Sequence, residues 1–288
     1  MAESLSHKWG QILGDFIEEL MRQKLEEIAT KYHLYLDYKK KRKARNNKKK
    51  VSWQDKYGNY HDLDYVLEKN GTEDNLGEPV AFIESAWRGY TKHSKNKAQE
   101  IESAILPLAD TYYKNQPFLG AILAGEFTQP SIQQLESKGF NVLYIPYISV
   151  VQAFSQVGID AAFNDKTPDD EFSDKIDKFY QLAPEKYQEI RQEILKRTQE
   201  GVEQFFQALE MILKRQICEI IVMVLHGKPH RTNNIDQATQ YLQSYPENQP
   251  SQSSACKYEI CLKYNNGDRI NGSFQDKDSA IRFLANFS

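Results

Sequence analysis

Two carboxylates interrupt segments that otherwise have the apolar character of β-strands. Asp64 lies within the segment 61–67, and Glu84 follows the apolar run 80–83. Carboxylates on neighbouring strands can bind a divalent metal ion through oxygen ligands, and cations beside that ion would bind phosphate. Cationic side chains follow Glu84 closely in the sequence: Arg88, Lys92, Lys95 and Lys97, with His93 if it is protonated. This combination is what a metal-dependent phosphodiesterase needs.

The first of these carboxylates can be assigned to either of two residues. Asp62 and Asp64 share one face of a strand because side chains alternate along it. Asp64 is favoured, since Tyr65 and the residues after it continue the strand and place Asp64 within it. Asp62 remains an alternative ligand or an outer neighbour of the metal site. A solvent-exposed acid at a strand edge is the competing interpretation of Asp64.

Charge is unevenly distributed along the chain. The net charge of −3 over 288 residues indicates no particular partner, but the segment 38–50 is densely cationic and suits a polyanion. A solvated loop or a localisation signal is the alternative interpretation of this run. The side chains predicted to contact DNA are Lys39, Lys40, Lys41, Arg42, Lys43, Arg45, Lys95 and Arg231.

Cysteine content and hydropathy indicate the cellular compartment in which the protein is expected. The three cysteines are odd in number and scattered, which argues against a disulfide framework and for a reducing compartment. No run approaches the length of a membrane span, and the segment 1–13 is more polar than a secretory signal. We therefore expect a cytoplasmic protein that has no membrane partner.

A zinc site and a cysteine nucleophile are weaker interpretations of other residues. His226 and His230 have an acceptable spacing for zinc, but the spacing of Cys256 and Cys261 is at the loose end of the usual range. Cys218 lies in an apolar run and is expected in the core rather than in catalysis. A glycine-rich phosphate loop with its lysine is missing from the sequence.

The first half of the chain predicts alternating helices and strands. This order predicts an α/β fold with a mixed central sheet flanked by helices on both faces. The predicted helices are 5–32, 94–114 and 130–138, and the predicted strands are 34–38, 51–53, 61–67, 80–87, 117–124 and 140–145.

The second half is predicted to be mostly helical, with a small unit at its end. We expect no internal repeat. The predicted elements are helix 148–156, an acidic loop at 165–174, a helical stretch over 184–214 interrupted at Gly201, an apolar strand at 217–225 and helix 234–243. The predicted domains are a core at 1–147, a helical extension at 148–243, a linker at 244–255 and a β-hairpin-plus-helix unit at 256–288.

The order helix, strand, strand with Asp, strand with Glu, helix, strand over 5–147 resembles the core of the PD-(D/E)xK nuclease superfamily, which includes many type II restriction endonucleases. The resemblance implies a restriction-endonuclease-like core in which Asp64 and Glu84 bind Mg²⁺, with Mn²⁺ as a possible substitute. Many relatives also carry a glycine followed by a glutamate on the first helix. Gly14 and Glu18 fit that spacing, so Glu18 is the third implied metal ligand and Glu19 its alternative.

The sequence departs from the family pattern at one position. The family places lysine two residues after the glutamate, where this chain has Ala86. Arg88 points to the same side of the strand as Glu84, but arginine stays protonated and would act only electrostatically. Lys92 or Lys97 would then orient the attacking water. Gln99 and Glu100 are further residues that could face the metal.

The implied function is a Mg²⁺-dependent endonuclease that cuts double-stranded DNA, most simply of the restriction type. Cutting two strands with one site per chain favours a homodimer, with 148–213 and the C-terminal unit supplying dimer contacts or specificity. A non-catalytic DNA-binding or protein-interaction module on the same fold is the alternative that would explain Ala86. A DNA repair nuclease or an RNA nuclease is a further alternative.

Overall fold

The computed structural model describes residues 4–91, 94–225, 227–246 and 257–287. The chain divides into two compact units, Met1–Glu210 and Met211–Ser288, each of which is described by itself. Within the described residues, no helix combines the length and the apolar character that crossing a bilayer requires.

The first unit is a mixed α/β domain, as predicted. Its five-stranded sheet has the order β1-β4-β5-β6-β7, in which β5, β6 and β7 run parallel and β4 is antiparallel to both β1 and β5. The strands are β1 (Tyr35–Tyr38), β2 (Val51–Gln54), β3 (Tyr60–Leu63), β4 (Tyr65–Lys69), β5 (Glu78–Arg88), β6 (Phe118–Gly125) and β7 (Asn141–Pro146). The helices are α1 (Leu5–Lys31), α2 (Ser94–Thr111), α3 (Gln129–Ser137), α4 (Tyr147–Ser155), α5 (Asp169–Tyr180), α6 (Pro184–Arg197) and α7 (Gln199–Leu213), which crosses the division between the units.

Helices cover both faces of this sheet. Phe82 of β5 belongs to an apolar cluster with residues of α2, α3 and the small β2–β3 sheet. Ile83, the next residue, faces the opposite side because side chains alternate along a strand. There a Cβ added at Gly120 would lie 2.8 Å from Ile83 and 3.1 Å from the ring of Phe205 in α7. Strand β5 is therefore buried on both faces, which explains its continuous apolar run.

The predicted strand at 61–67 is two strands that belong to different sheets. Residues 60–63 form β3, which pairs with β2, whereas β4 begins at Tyr65 and pairs with β1 and β5. The break falls at Asp64, whose carboxylate accepts a hydrogen bond from the backbone N–H of Ser85 at 2.7 Å. The side-chain carboxylate of Asp64 thus accepts the hydrogen bond from Ser85 that a backbone carbonyl would accept if the strand continued.

Two predictions for the helical extension are wrong in detail. The acidic segment 165–174 was expected to be a loop, but α5 begins at Asp169. Its first-turn acids lie at the positive end of the helix macrodipole, and Phe172 and Phe179 are among its buried residues. The long helix breaks at Thr198 rather than at Gly201. The hydroxyl of Thr198 donates to the carbonyl of Ile194 at 2.8 Å and so competes with the helical backbone pattern.

The second unit is larger than the predicted hairpin-plus-helix. The predicted hairpin and its helix are present, but β10 also pairs with the apolar strand β8. The sheet has the order β11-β10-β8-β9, so the boundary lies near residue 211 rather than at 256. Its elements are β8 (Ile217–Val224), β9 (His230–Thr232), α8 (Ile235–Ser244), β10 (Tyr258–Tyr264), β11 (Arg269–Phe274) and α9 (Lys277–Leu284).

This second unit contains an internal repeat, contrary to expectation. The order strand, strand, helix occurs twice, and β8 and β10 are antiparallel neighbours at the centre of the sheet. In each helix, the side chain of the N-cap residue accepts a hydrogen bond from the backbone N–H three residues later. Each helix also buries an alanine and a leucine at equivalent positions. The corresponding pairs are Asn234 with Asp276, Ala238 with Ala280 and Leu242 with Leu284.

Candidate active site

The two predicted carboxylates lie side by side at the carboxyl end of β5. Tyr65, the first residue of β4, pairs with Ile83, so β5 runs five residues past this partner, as far as Arg88. Asp64 lies at the point where β4 begins and is tied to β5 by the bond from Ser85. Glu84 is 8% exposed and immediately precedes Ser85. The ends of parallel strands are where open α/β sheets bind ligands.

Lys97 is brought to Glu84 by the first turn of α2. Its Nζ lies 3.9 Å from Glu84 Oε2 and 3.5 Å from Glu100 Oε2. Glu18 approaches from α1, which is fixed to the sheet because the hydroxyl of Tyr65 donates to the carbonyl oxygen of Glu18 at 2.6 Å. The site therefore combines residues from two helices, one strand and the turn before another strand.

Burial and mutual repulsion make these carboxylates unusual acids. Burial, followed by the charge of Asp64, raises the pKa of Glu84 well above its ordinary value. Burial also raises the pKa of Asp64. The pKa of Glu18 rises to about 7, first through burial and then through the charge of Asp64. Lys97 opposes all three shifts but does not cancel them, so the site favours an additional cation.

The donor set suits Mg²⁺ better than a structural metal cluster. Among the residues that the structure describes, no three His, Cys, Asp or Glu side chains form a group that could hold a metal ion. Mg²⁺ usually keeps several water ligands and binds proteins through only one or two carboxylates. Asp64 and Glu84 could supply two such carboxylates, and Glu18 lies close enough to Asp64 for the charge of Asp64 to help raise the pKa of Glu18.

Ala86 stands where the resemblance to the PD-(D/E)xK pattern would place a lysine. Its side chain is 5% exposed and belongs to the apolar cluster between the sheet and α2. Lys97 instead reaches Glu84 from the neighbouring helix. Of the two lysines predicted to orient water, Lys97 is thus at the site, whereas Lys92 lies outside the described residues, as does His93.

Arg88 lies beside the site without contacting either predicted strand carboxylate. Its guanidinium Nη1 donates to the carbonyl of Trp87 at 3.0 Å, and Nη2 lies 3.9 Å from Glu100 Oε2. Glu100 therefore links Arg88 with Lys97. Gln99 is exposed on α2. Arg88 fits an electrostatic role at the rim.

Asp62 lies away from the site, on the exposed face of the β2–β3 sheet. Lys50 Nζ lies 2.6 Å from its carboxylate, and the hydroxyl of Ser52 donates to it. These contacts lower the pKa of Asp62, with the Lys50 contact as the main cause. The structure therefore brings Asp64, and not Asp62, beside Glu84.

The basic segment 38–50 is only partly a solvated cationic loop. Arg42 and Arg45 are buried, at 0% and 6% exposure. Arg42 Nη1 lies 2.9 Å from Asp37 Oδ2, and Arg42 Nη2 donates to Glu68 Oε2 at 3.0 Å. Arg45 Nη2 donates to Asp37 Oδ1 at 3.0 Å. Their assignment to DNA binding is therefore wrong, because both guanidinium groups are committed to the interior.

The lysines of this segment are placed differently from the arginines. Lys39 is exposed and lies at a small cavity that Asp64 also lines. Burial raises the pKa of the Asp64 carboxyl, and the charge of Lys39 partly opposes that rise. Lys40 lies 3.5 Å from Glu73, and Lys43 lies 3.2 Å from Asp74. Lys41 is exposed and forms no ion pair within the described part of the chain. Lys39 is thus the cation of this segment that is connected with the site.

The remaining predicted contacts lie on other elements. Lys95 is exposed on α2, two residues before Lys97. Arg231 belongs to the second unit, where it pairs with Glu219.

Cys218, expected in the core, is exposed on β8. For the weaker zinc interpretation, His226 and Cys256 lie outside the described residues, while His230 stacks on Tyr241 at 4.2 Å and Cys261 lies in β10.

A groove of about 470 Å³ beside the carboxylates was not predicted from the sequence. Glu18, Ser85 and Lys97 line its inner end. The sequence signal that points to it is the pair of glycines in the interior of α1, since glycine destabilises a helix there relative to alanine. The other lining residues include Gly10, Gly14, Trp87, Tyr90 and Phe163.

Comparisons of the chain with protein-family models, with curated proteins and with solved structures give no match. The geometry and charge of the site are therefore the basis of the functional proposal.

Replacing Glu18 by glutamine should stabilise the metal-free protein at alkaline pH. The folded-state pKa of about 7 exceeds the ordinary 4.5, so the native state binds more protons and loses stability as pH rises from about 4.5 to 7. The full shift corresponds to at most ~3 kcal/mol, and partial exposure reduces our expectation to about 1–2 kcal/mol.

The measurement is the melting temperature in EDTA at acid and alkaline pH. Glu18→Gln should match the native protein below pH 4.5 and exceed it at pH 8. Glu27→Gln, an exposed acid on the same helix, is the matched control and should change neither value. Equal melting temperatures for native and Glu18→Gln protein at pH 8 would show that ionised Glu18 does not destabilise the native state.

Proposed function

We propose that this protein is a Mg²⁺-dependent endonuclease that hydrolyses phosphodiester bonds of double-stranded DNA. The observation that carries the proposal is the convergence of Asp64, Glu84 and Lys97 at the end of β5, with Lys97 Nζ 3.9 Å from Glu84. Two acids and one lysine in this arrangement are the chemistry that the PD-(D/E)xK family pattern requires, although the lysine comes from α2.

The order of elements supports the same proposal. Helix α1, strand β1, strand β4 preceded by Asp64, strand β5 with Glu84, helix α2 and strand β6 follow the family's order. The mixed sheet with helices on both faces is compatible with a restriction-endonuclease-like core. Glu18, one turn of helix after Gly14, faces the same groove as Lys97.

Each site residue has a distinct proposed role. Asp64 and Glu84 would hold the ion, and a bound Mg²⁺ supplies charge that polarises the phosphoryl oxygen and lowers the pKa of a water molecule. Lys97 Nζ would donate hydrogen bonds to the attacking water or to a non-bridging phosphate oxygen. Arg88 would attract the phosphate backbone without transferring a proton.

The DNA would be held mainly through its phosphates. Lys39, Lys41 and Lys95 are exposed cations in the unit that contains the carboxylates, and we propose them as phosphate contacts. A homodimer in which each chain cuts one strand is the simplest assembly for a double-strand break. A restriction role is the most direct reading of that activity.

A second candidate is a DNA-binding module that has lost catalysis. The observation in its favour is Ala86, which is buried among apolar side chains where the family has its lysine. The two candidates differ in whether Lys97 replaces that lysine in function.

The test of the proposal is incubation of the purified chain with plasmid DNA, linear duplex, single-stranded DNA and RNA. Each substrate would be offered with Mg²⁺, with Mn²⁺ and with EDTA. We expect cleavage of duplex DNA that EDTA abolishes, with discrete products if the enzyme is of the restriction type. Retention of DNA without cleavage under every metal condition would favour the binding module, and cleavage of RNA alone would contradict DNA as the substrate.

Replacing Lys97 by alanine should lower the cleavage rate about 10²–10³-fold, the size expected when one preorganised electrostatic group is removed from a transition state. Lys95→Ala is the matched control, because Lys95 is exposed on the same helix turn. The control should weaken binding and reduce its salt dependence but leave the rate of the bound complex nearly unchanged. Single-turnover rates at saturating protein separate the two effects, and an unchanged rate in Lys97→Ala would remove lysine from the proposed site.

A further inference from the structure

The groove beside the carboxylates is larger than phosphodiester hydrolysis requires. Its volume of about 470 Å³ is within the range of roughly 300–1,000 Å³ typical of small-molecule sites. Its inner end is lined by Glu18, Ser85 and Lys97, next to Asp64 and Glu84, which are not themselves lining residues. Its outer part lies between the first half of α1 and the segment that follows β5. The outer part therefore has room for a planar group that remains attached to the reacting phosphate.

One wall of the groove is a rigid aromatic platform. Phe163 packs directly on the backbone of Gly89, where a Cβ would lie 2.4 Å from the ring. The backbone N–H of Phe163 donates to the hydroxyl of Tyr147 at 2.8 Å, which fixes the segment. Tyr90 meets Phe163 edge-on, with ring centroids 5.6 Å apart and an interplanar angle of 89°. Tyr90 remains 38% exposed, so its ring is available for stacking.

The opposite wall is kept open by a glycine that packing does not require. Gly14 permits a close approach of α1, because its Cβ would lie 3.4 Å from Trp87 Cβ. A Cβ at Gly10 would meet only the indole of Trp87 at 3.9 Å, which is ordinary contact. Glycine at position 10 nevertheless weakens the helix relative to alanine. Its structural effect is to leave the space of one methyl group unfilled between α1 and the indole.

The indole of Trp87, which faces Gly10 from β5, lacks an acceptor. Trp87 Nε1 is buried and has no hydrogen-bond partner among the residues that the structure describes. Buried donors are rarely left unpaired, because desolvation without a hydrogen bond is unfavourable. A ligand in the groove that carries acceptor atoms would relieve this after a small displacement of the ring.

We propose that the groove holds one nucleobase displaced from the duplex next to the scissile phosphate. A nucleobase offers a π face for Tyr90 and acceptor atoms for the N–H of Trp87. The phosphate attached to it would lie at the inner end, near the cationic Lys97. The inference rests on the proposed nuclease function and adds a substrate class, namely DNA in which a base is unpaired or readily unpaired.

The experiment compares three duplexes of the same sequence in Ca²⁺ without Mg²⁺. One is fully paired, one has a short central bubble, and one has the same bubble with abasic sugars. Binding is followed by anisotropy of labelled DNA and by tryptophan fluorescence. Of the three tryptophans of the chain, Trp87 lines the groove, whereas Trp9 and Trp53 are 0% and 4% exposed, so direct contact with a bound base would involve Trp87.

The native protein should bind the bubble about tenfold more tightly than the abasic bubble, which is within the range of one stacked base. Bubble DNA should also quench tryptophan fluorescence. Tyr90→Ala removes the aromatic platform and Gly10→Leu fills the groove. Each variant should bring the ratio of the affinities for the bubble and for the abasic bubble close to one. Tyr90→Phe, the matched control, keeps the ring and should keep the ratio.

Three results would overturn the inference. A native ratio near one would exclude base binding, and an unchanged ratio in both Tyr90→Ala and Gly10→Leu would place the base elsewhere. Neither result bears on cleavage of paired duplex, which is measured separately in Mg²⁺, so only the groove assignment fails. If the native protein binds none of the duplexes in Ca²⁺ and cuts none of them in Mg²⁺, the proposed nuclease function fails and the groove assignment fails with it.

Discussion

Replacing Asp64 by asparagine should lower the rate of DNA cleavage at least about 10²–10³-fold, whereas Asp62→Asn should leave it within about twofold of the native rate. Asp64 lies at the start of β4 beside Glu84, and Asp62 lies on an exposed face with Lys50. Asparagine keeps an oxygen that can accept the bond from Ser85, so the fold around the site should survive. The variant therefore removes charge rather than shape.

This pair of variants separates two carboxylates that the sequence alone places on one strand face. The measurement is the single-turnover cleavage rate in Mg²⁺, with melting temperature as the check on folding. A large loss in Asp62→Asn together with a normal rate in Asp64→Asn would exchange their roles. A normal rate in both variants would contradict the placement of the metal site between β4 and β5.

Replacing Arg42 by methionine should lower the free energy of unfolding by about 3–5 kcal/mol, the usual effect of removing one partner from a buried ion pair. Arg42 contacts two buried carboxylates, Asp37 and Glu68. It also donates from Nε to the carbonyl of Thr72 at 3.0 Å and from Nη2 to that of Asn75 at 2.9 Å. Its removal leaves charges and carbonyls in the interior without their main donor.

The matched control is Lys43→Met, because Lys43 follows Arg42 directly and pairs with Asp74 at the surface. Exposed ion pairs of this kind contribute little, so the control should change stability by no more than about 0.5 kcal/mol. Urea unfolding monitored by tryptophan fluorescence measures both. If Arg42→Met has the same urea midpoint of unfolding as the native protein, the buried cluster does not hold β1, β4 and the loop after β4 together.

The cationic run at 38–50 shows where local sequence is misleading. A row of lysines and arginines predicts a solvated loop or a polyanion contact, and the exposed lysines fit the first description. The partners of Arg42 lie in β1 and β4, which meet only because Tyr35 pairs with Glu68 and Asp37 with Val66 in the antiparallel ladder. Such pairing over a long sequence separation has no local signal, so the burial of two arginines was not predictable.

The candidate site was more accessible to sequence reasoning because its residues follow local rules. Glu84 stands out as an acid in an apolar strand, and Lys97 falls in the first turn of the helix that must begin after the basic turn. The break at Asp64 was not foreseen, since the residues on both sides have strand character. Two adjacent strands in different sheets look like one long strand in the sequence.

The second unit illustrates the same limit at a larger scale. Its hairpin was predicted from the turn at Asn266 and Gly267 and from alternation along Tyr258–Tyr264. The pairing of β10 with β8 was missed, because the segment between them contains a strand, a helix and a polar stretch. The repeat consists of equivalent helix caps and of two central strands that pair in the folded unit, and that pairing has no local signal in the sequence.

The most direct test of the metal site is to measure the binding of Mn²⁺ to the protein in the absence of DNA, by calorimetry or by electron paramagnetic resonance. The native protein should bind Mn²⁺, more tightly as pH rises because the pKa of Glu18, about 7, and those of Asp64 and Glu84 are raised. Glu84→Gln should lose this binding, and Asp62→Asn should keep it. Equal Mn²⁺ binding by native and Glu84→Gln protein, or no binding by the native protein, would contradict a metal site at Asp64 and Glu84.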